Sequence, residues 1–229
     1  MAQNKRDMER AELHRIIWNI ANDLRGSVDG WDFKQYVLGM LFYRYISENL
    51  TNFINKGERE AGYTDFDYAK MPDKEALQAK DDLVETKGFF ILPSELFENV
   101  RERAPHDKNL NETLERIFKN IEASAIGTRS EKNFKGLFDD IDVNSNKLGN
   151  TVEERNKKLV KLLNAIGDMQ LGDIQNNSID AFDDAYEFLM TMYASSAGKS
   201  GGEFFTPPRS IGIIGPNYRC GQKEYKQSI

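Results

Sequence analysis

From Tyr36 to Tyr43 the chain reads Tyr-Val-Leu-Gly-Met-Leu-Phe-Tyr, a stretch without a single charge. It sits inside a helical pattern that a capping Asp32 opens and that runs to about Asn52. Each helical residue turns the chain by about 100°, so this stretch is apolar nearly all the way round its axis. Such a helix is stable only at the centre of a domain, wrapped by other elements. The remainder of the chain must therefore supply apolar faces to cover it.

It supplies them with helical period. Leu13, Ile16, Ile17, Ile20, Ala21 and Leu24 share one face of a first helix, which Arg25 and Gly26 stop before the turn Ser27-Val28-Asp29-Gly30. Leu110, Leu114, Ile117, Phe118 and Ile121 share a face, and Phe134, Leu137 and Phe138 mark a short helix. Thr151-Val152-Glu153-Glu154 is a capping-box signature, followed by Leu159, Leu162, Leu163 and Ile166 with Gly167 as the stop. Phe182, Tyr186, Leu189 and Tyr193 mark a last helix, from about Ser178 to Ser196. Gly88-Phe89-Phe90-Ile91-Leu92-Pro93 breaks the pattern and reads either as an isolated strand or as an extended buried segment. Ser94 then starts a short helix that ends near Pro105. Residues 58–85 carry nine acids against four bases, which predicts an exposed acidic connection with one short helix. No fixed-period repeat appears and strands are nearly absent, so the fold class is mainly α, one helical domain.

Composition narrows the function classes. A chain of 229 residues holds one to two domains. It is 39% hydrophobic and 30% charged, the balance of a soluble globular protein. Its longest run free of Asp, Glu, Lys and Arg is Phe188 to Gly198. A spanning helix needs roughly 20 apolar residues, so no membrane partner is expected. The polar N-terminus is not a signal peptide, and the chain reads as cytoplasmic. One cysteine, Cys220, and two histidines, His14 and His106, leave no disulfide framework and no metal site. His14 reads as a boundary residue of the first helix. Cys220 has no neighbouring group to activate it as a nucleophile.

Gly198-Lys199-Ser200 does not make a phosphate-binding loop, because Tyr193 stands where that motif needs glycine and a helix precedes it in place of a strand. Gly201-Gly202-Glu203-Phe204-Phe205-Thr206-Pro207-Pro208 has two readings, a turn into extended chain or small residues that let backbone approach a ligand beside an aromatic wall. Residues 129–161 hold eight bases (Arg129, Lys132, Lys135, Lys147, Arg155, Lys157, Lys158 and Lys161) and six acids. That is a solvated face or a contact for nucleic-acid phosphates, although the overall charge of −6 opposes strong DNA binding by the chain alone.

Ile17-Trp18-Asn19-Ile20-Ala21-Asn22-Asp23-Leu24-Arg25-Gly26, followed by the helix from Lys34 to Ser47, resembles the N-terminal helical domain of the modification (methyltransferase) subunit of type I restriction–modification systems. Phe90-Ile91-Leu92-Pro93-Ser94-Glu95-Leu96-Phe97, the helix Ala181 to Leu189, and Gly198 to Pro207 agree with it in the same order. The resemblance covers about residues 10–208. It implies a parent enzyme that transfers a methyl group from S-adenosylmethionine to the N6 amine of adenine in a bipartite site, with the target base flipped out of double-stranded DNA. It implies an assembly of two modification subunits with one specificity subunit, which a restriction subunit can join. Within the family the helical domain resembles part of a clamp on DNA. The resemblance makes Phe205, Thr206 and Pro207 the first piece of the cofactor site, lining the methionine end of S-adenosylmethionine.

After Pro207 the chain departs from the family pattern. Family members continue into a glycine-rich cofactor loop and an Asn-Pro-Pro-aromatic catalytic motif. Here Ile211-Gly212-Ile213-Ile214-Gly215 is not that loop, and Gly215-Pro216-Asn217-Tyr218 has the catalytic letters in the wrong order. The expected organisation is a helical domain over residues 1–170, a helix and Phe-Thr-Pro segment over 171–208 leading into the methyltransferase domain, and an atypical, truncated tail over 209–229. The Rossmann-like catalytic domain is absent or only begun. On this reading the chain has no catalytic residues, binds no cofactor tightly and is inactive alone, mediating subunit and DNA clamping. The alternative is a stand-alone non-enzymatic protein that caps a specificity subunit.

Overall fold

The structure, a computed structural model, describes residues 30–169 together with Met8, Ala11, His14, Arg15, Ile17, Trp18 and Asn19 of the N-terminal segment. These belong to one unit, Met1–Ser196. The second unit, Ala197–Ile229, lies outside the described residues, as do the helix expected over 178–196 and most of the first apolar face. Ile17 of that face is fully buried, and its neighbour Trp18 is exposed. His14 is half-buried, as a boundary residue would be. Among the described residues there is no strand, so the mainly α expectation holds.

The central helix, α1, spans Gly30–Glu60. Its Val37, Met40, Tyr43 and Leu50 are fully buried, as an all-round apolar stretch requires. It runs eight residues past the expected end at Asn52. The true stop is a Schellman motif: Gly62 takes φ 101°, its N–H donates to the Arg59 carbonyl at 3.1 Å, and the Tyr63 N–H donates to that of Glu58 at 2.9 Å.

Gly39 lies on the buried side of α1, where a Cβ would stand 1.8 Å from Ile141 Cδ1. The missing side chain lets the 138–143 turns close onto the helix. Tyr36 ties them there by donating its hydroxyl to the Asp142 carbonyl at 2.6 Å.

The acidic connection is more helical than expected. It forms a 3-10 turn at Tyr68–Lys70, then α2 (Asp73–Ala76), a second 3-10 turn at Leu77–Ala79, and α3 (Lys80–Lys87). Asp67 caps the first turn by accepting from the Ala69 N–H at 3.2 Å. α3 has no buried residue, so its outer faces stay charged.

Four further helices follow. α4 spans Phe97–Arg103, starting three residues after Ser94 because a 3-10 turn at Pro93–Glu95 comes first; another at Ala104–His106 follows it. α5 spans Leu110–Ser124 and buries Leu110, Leu114, Ile117, Phe118 and Ile121, the face expected of it. α6 is a single turn, Glu131–Phe134. Lys135 then adopts an extended backbone, so Leu137 and Phe138 lie in turns and not on the same helix. α7 spans Val152–Gly167, and its capping box is complete: the Thr151 hydroxyl accepts from the Glu154 N–H at 3.2 Å while Glu154 Oε2 accepts from the Thr151 N–H at 3.2 Å. α1 packs on α7 and α4, and α5 packs on α7. Arg44 of α1 closes the end of α7 by donating to the carbonyls of Ile166 at 2.6 Å and Met169 at 2.9 Å.

Aromatic rings run through the core from end to end. Tyr43 meets Phe97 and Phe118 edge-on with centroids 5.5 and 5.6 Å away. Phe118 stacks on Phe138 at 4.3 Å, and Phe134 stacks on Phe89 at 4.8 Å. Phe42 joins the two stacks, with its ring 6.3 Å from Phe134 and 6.4 Å from Phe138.

Of the two readings of Gly88–Pro93, the extended buried segment is the one observed. Phe89, Phe90, Ile91 and Pro93 are buried with no strand partner. Backbone polar groups inside a core must be paired, and here side chains from the surrounding elements pair them. Thr128 donates to the Gly88 carbonyl at 3.0 Å, and the Phe90 N–H donates to Ser124 Oγ at 2.9 Å. Tyr68 donates to Ile91 at 2.8 Å, Asn99 to Pro93 at 2.7 Å and Tyr43 to Glu95 at 2.5 Å. The segment is thus a strap threaded between helices and held by them.

Candidate functional site

Phe205, Thr206 and Pro207, the residues expected to line a cofactor, lie outside the described residues, as does Cys220. The sites to weigh among the described residues are a groove and a charged edge.

The groove is open and about 700 Å³ in volume. One wall is the Ala69–Asp73 segment, the floor is Pro93 and Ser94, and the other wall is α4 with the turn after it, contributing Asn99, Glu102, Arg103 and His106. Asn99 holds the walls together by donating to the carbonyls of Ala69 at 2.8 Å and Pro93 at 2.7 Å. Ser94 donates its hydroxyl to Asp73 Oδ2 at 2.6 Å, and Asp73 Oδ1 accepts the Ser94 N–H at 2.9 Å. The hydroxyl proton is thus committed to a carboxylate with no imidazole in between, so the pair is a structural clasp and not an activated nucleophile. No local pattern in the sequence joins these three segments, and the groove was not legible there.

The charged edge concerns the eight bases of residues 129–161, which do not form one face. Arg129, Lys132 and Lys135 lie just past the C-terminal end of α5, on and around α6. α7 begins at the opposite end of α5, where the Asn111 N–H donates to Asn156 Oδ1 at 3.1 Å. Fifteen helical residues separate those ends, about 22 Å at the helical rise.

At the α7 end Lys157 and Arg155 are engaged, while among the described residues no carboxylate pairs with Lys158 or Lys161. Lys157 Nζ lies 2.8 Å from Glu153. That contact holds the Glu153 carboxyl below its usual range and the Lys157 amine above it. Arg155 donates to the Gly149 carbonyl at 3.0 Å. At the α6 end no carboxylate pairs with Arg129, Lys132 or Lys135 among the described residues.

Other perturbed groups are structural. Burial first, and Glu95 second, push the Tyr43 phenol well above its normal range. Burial, with Asp73 adding to it, raises Tyr68 likewise. Burial lowers Lys87, whose ammonium donates to Asn49 at 2.8 Å and lies 4.7 Å from the centre of the Phe53 ring. No cluster of three His, Cys, Asp or Glu side chains suited to a metal ion is found among the described residues. No helix among them is long and apolar enough to cross a membrane.

A helical domain without a catalytic constellation among its described residues is what the comparisons with known proteins explain. Residues 13–166 match the model of the HsdM N-terminal domain. The chain belongs to the HsdM family. The match takes in α1 to α7 almost entire, so the helices wrapped around α1 are the family's N-terminal domain. Residues 177–217 match a second model, N-6 DNA Methylase.

Among its relatives is the type I restriction enzyme MpnII methylase subunit of Mycoplasma pneumoniae, 51% identical over 212 residues. That alignment takes in 90% of this chain and 39% of the relative. A solved structure, the type I restriction-modification system methyltransferase subunit from Streptococcus thermophilus, superposes with a TM-score of 0.67 at 28% identity. It covers 86% of this chain and 41% of the other. The chain carries the N-terminal portion of a type I methylase subunit and spans about two-fifths of the length of these relatives.

Proposed function

We propose that this chain is the assembly and DNA-enclosing part of a type I modification enzyme whose parent methylates adenine N6 in duplex DNA. The observation that carries the reading is the order of the two matches, a helical N-terminal domain over residues 13–166 followed by N-6 DNA methylase sequence from residue 177. The partners are a specificity subunit, a second modification subunit and DNA, with a restriction subunit able to join. The chain works in the cytoplasm. S-adenosylmethionine supplies the methyl group in the parent enzyme. Phe205, Thr206 and Pro207 fall within the methylase match, and an apolar ring beside a hydroxyl suits the methionine end of that ligand.

On this reading the chain by itself encloses and docks but does not catalyse. Two measurements test it. Co-purification with the specificity subunit at low salt should give a stable complex, and its failure to form removes the assembly role. Incubation of the purified chain with tritiated S-adenosylmethionine and duplex DNA should leave the DNA unlabelled. Incorporation above background would show a complete catalytic site.

A further inference from the structure

We propose that Arg129, Lys132 and Lys135 form a contact for the phosphate backbone of duplex DNA, holding the double helix in place without reading its sequence. The inference rests on the reading above that the chain works on DNA, and adds which surface meets it. Residues 125–136 carry three bases and one acid in a chain whose overall charge is −6. The three cations recur at every third position, and all three are exposed. The one acid, Glu131, is engaged within the loop, where its Oε2 accepts the Gly127 N–H at 2.8 Å.

The segment is pinned from beneath. The Thr128 hydroxyl shares its one proton between the carbonyls of Ala125 at 2.7 Å and Gly88 at 3.0 Å. The Ser130 N–H donates to Thr128 Oγ1 at 3.1 Å, and Arg129 Nη2 donates to the Thr86 carbonyl at 3.0 Å. Phe134 is buried on Phe89. Phosphate contacts need fixed positive charge and no base recognition, and a backbone ordered beforehand lowers the entropy lost on binding. Lys132 and Lys135 have no internal role to compete with that use.

The test is fluorescence anisotropy of the 229-residue chain with a labelled duplex of arbitrary sequence, over a series of salt concentrations. Each phosphate contact contributes about 0.9 to the slope of log affinity against log salt. The R129Q/K132Q/K135Q variant should bind at least about tenfold more weakly at low salt, with a slope smaller by about 2 to 3. The K132Q/K135Q variant touches no internal hydrogen bond. It should lose a slope of about 2 while melting like the parent.

A control, K74Q/K158Q/K161Q, removes the same charge elsewhere and should keep the slope. Unchanged slope and affinity in the first two variants overturn the proposal and leave the wider DNA reading standing. Equal losses in the control also overturn it, since the effect would then not be particular to this segment. Loss of specificity-subunit retention with DNA binding intact would make the loop a protein contact instead. No DNA binding by the parent chain at any salt would remove both this inference and the DNA-enclosing role.

Discussion

Tyr43 shows how one side chain joins two layers of this fold. Its ring is enclosed between Phe97 and Phe118, and its hydroxyl is the donor that reaches the Glu95 carbonyl in the 3-10 turn at the end of the strap. Tyr43→Phe keeps the ring packing and removes the donor, so it should cost about 1–3 kcal/mol in urea unfolding. A cost near zero would show that the carbonyl finds another partner.

Asp67 gives a pH signature. Its carboxyl is held below the usual range despite the burial that pushes it up, because Lys70, the Ala69 N–H and Asn55 all favour the charged form. A depressed folded pKa gives stability that is complete above the unfolded value near 3.8 and is lost as the pH falls through the lower folded value. Asp67→Asn should therefore lower stability at neutral pH and flatten the acid limb of the melting curve. A parallel acid limb in both proteins would count against this.

Among the elements, α5 and α7 were readable because each carries a single apolar stripe at helical spacing, and Thr151–Glu154 announces its own cap. The end of α1 was not, because helix termination at Gly62 outran the point where the apolar pattern faded. Phe134, Leu137 and Phe138 have helical spacing yet share the core from a helix and a turn, since a period alone does not fix the backbone. The strap stayed ambiguous for a related reason. Its hydrogen-bond partners, Ser124, Thr128, Tyr68 and Tyr43, are scattered through the sequence and carry no local signal. Ser124 accepts from the Phe90 N–H at 2.9 Å and directs its one hydroxyl proton to the Ile121 carbonyl at 2.7 Å, with the Phe90 carbonyl 3.2 Å away. Ser124→Ala leaves that N–H unpaired, so it should destabilise by about 1–3 kcal/mol and speed exchange of the Phe90 amide ahead of the α5 amides. Exchange at an unchanged rate would mean that Ser124 is dispensable to the strap.

Taken whole, the described residues share one apolar cluster that runs from Ile17 through α1, the strap and α5 to Met169. A single cluster implies a single cooperative opening. The amides of Leu114 in α5 and Leu163 in α7 should report the same opening free energy in native-state hydrogen exchange. A gap of several kcal/mol between them would divide the domain into separate units. The functional reading was legible at this level only through resemblance. Composition and periodicity pointed to a helical domain, and the residues that would meet a cofactor lie outside the described part. The cations that carry the DNA-contact proposal were visible as a basic stretch, but only the fold separates Arg129, Lys132 and Lys135 from the bases of α7 at the other end of α5.

The strap also sets where this domain can change length. Its backbone is tied at Gly88, Phe90, Ile91 and Pro93 to side chains fixed on other elements, so adding a residue between Leu92 and Pro93 would misplace the partners on one side of the insertion. Residues 61–65, by contrast, are exposed and lead out of the Schellman turn with few ties to the core. A one-residue insertion after Asp65 should leave the melting temperature within a few degrees of the parent. The same insertion in the strap should abolish soluble folded protein. Within the domain, then, length variation is tolerated at residues 61–65 and closed at the strap.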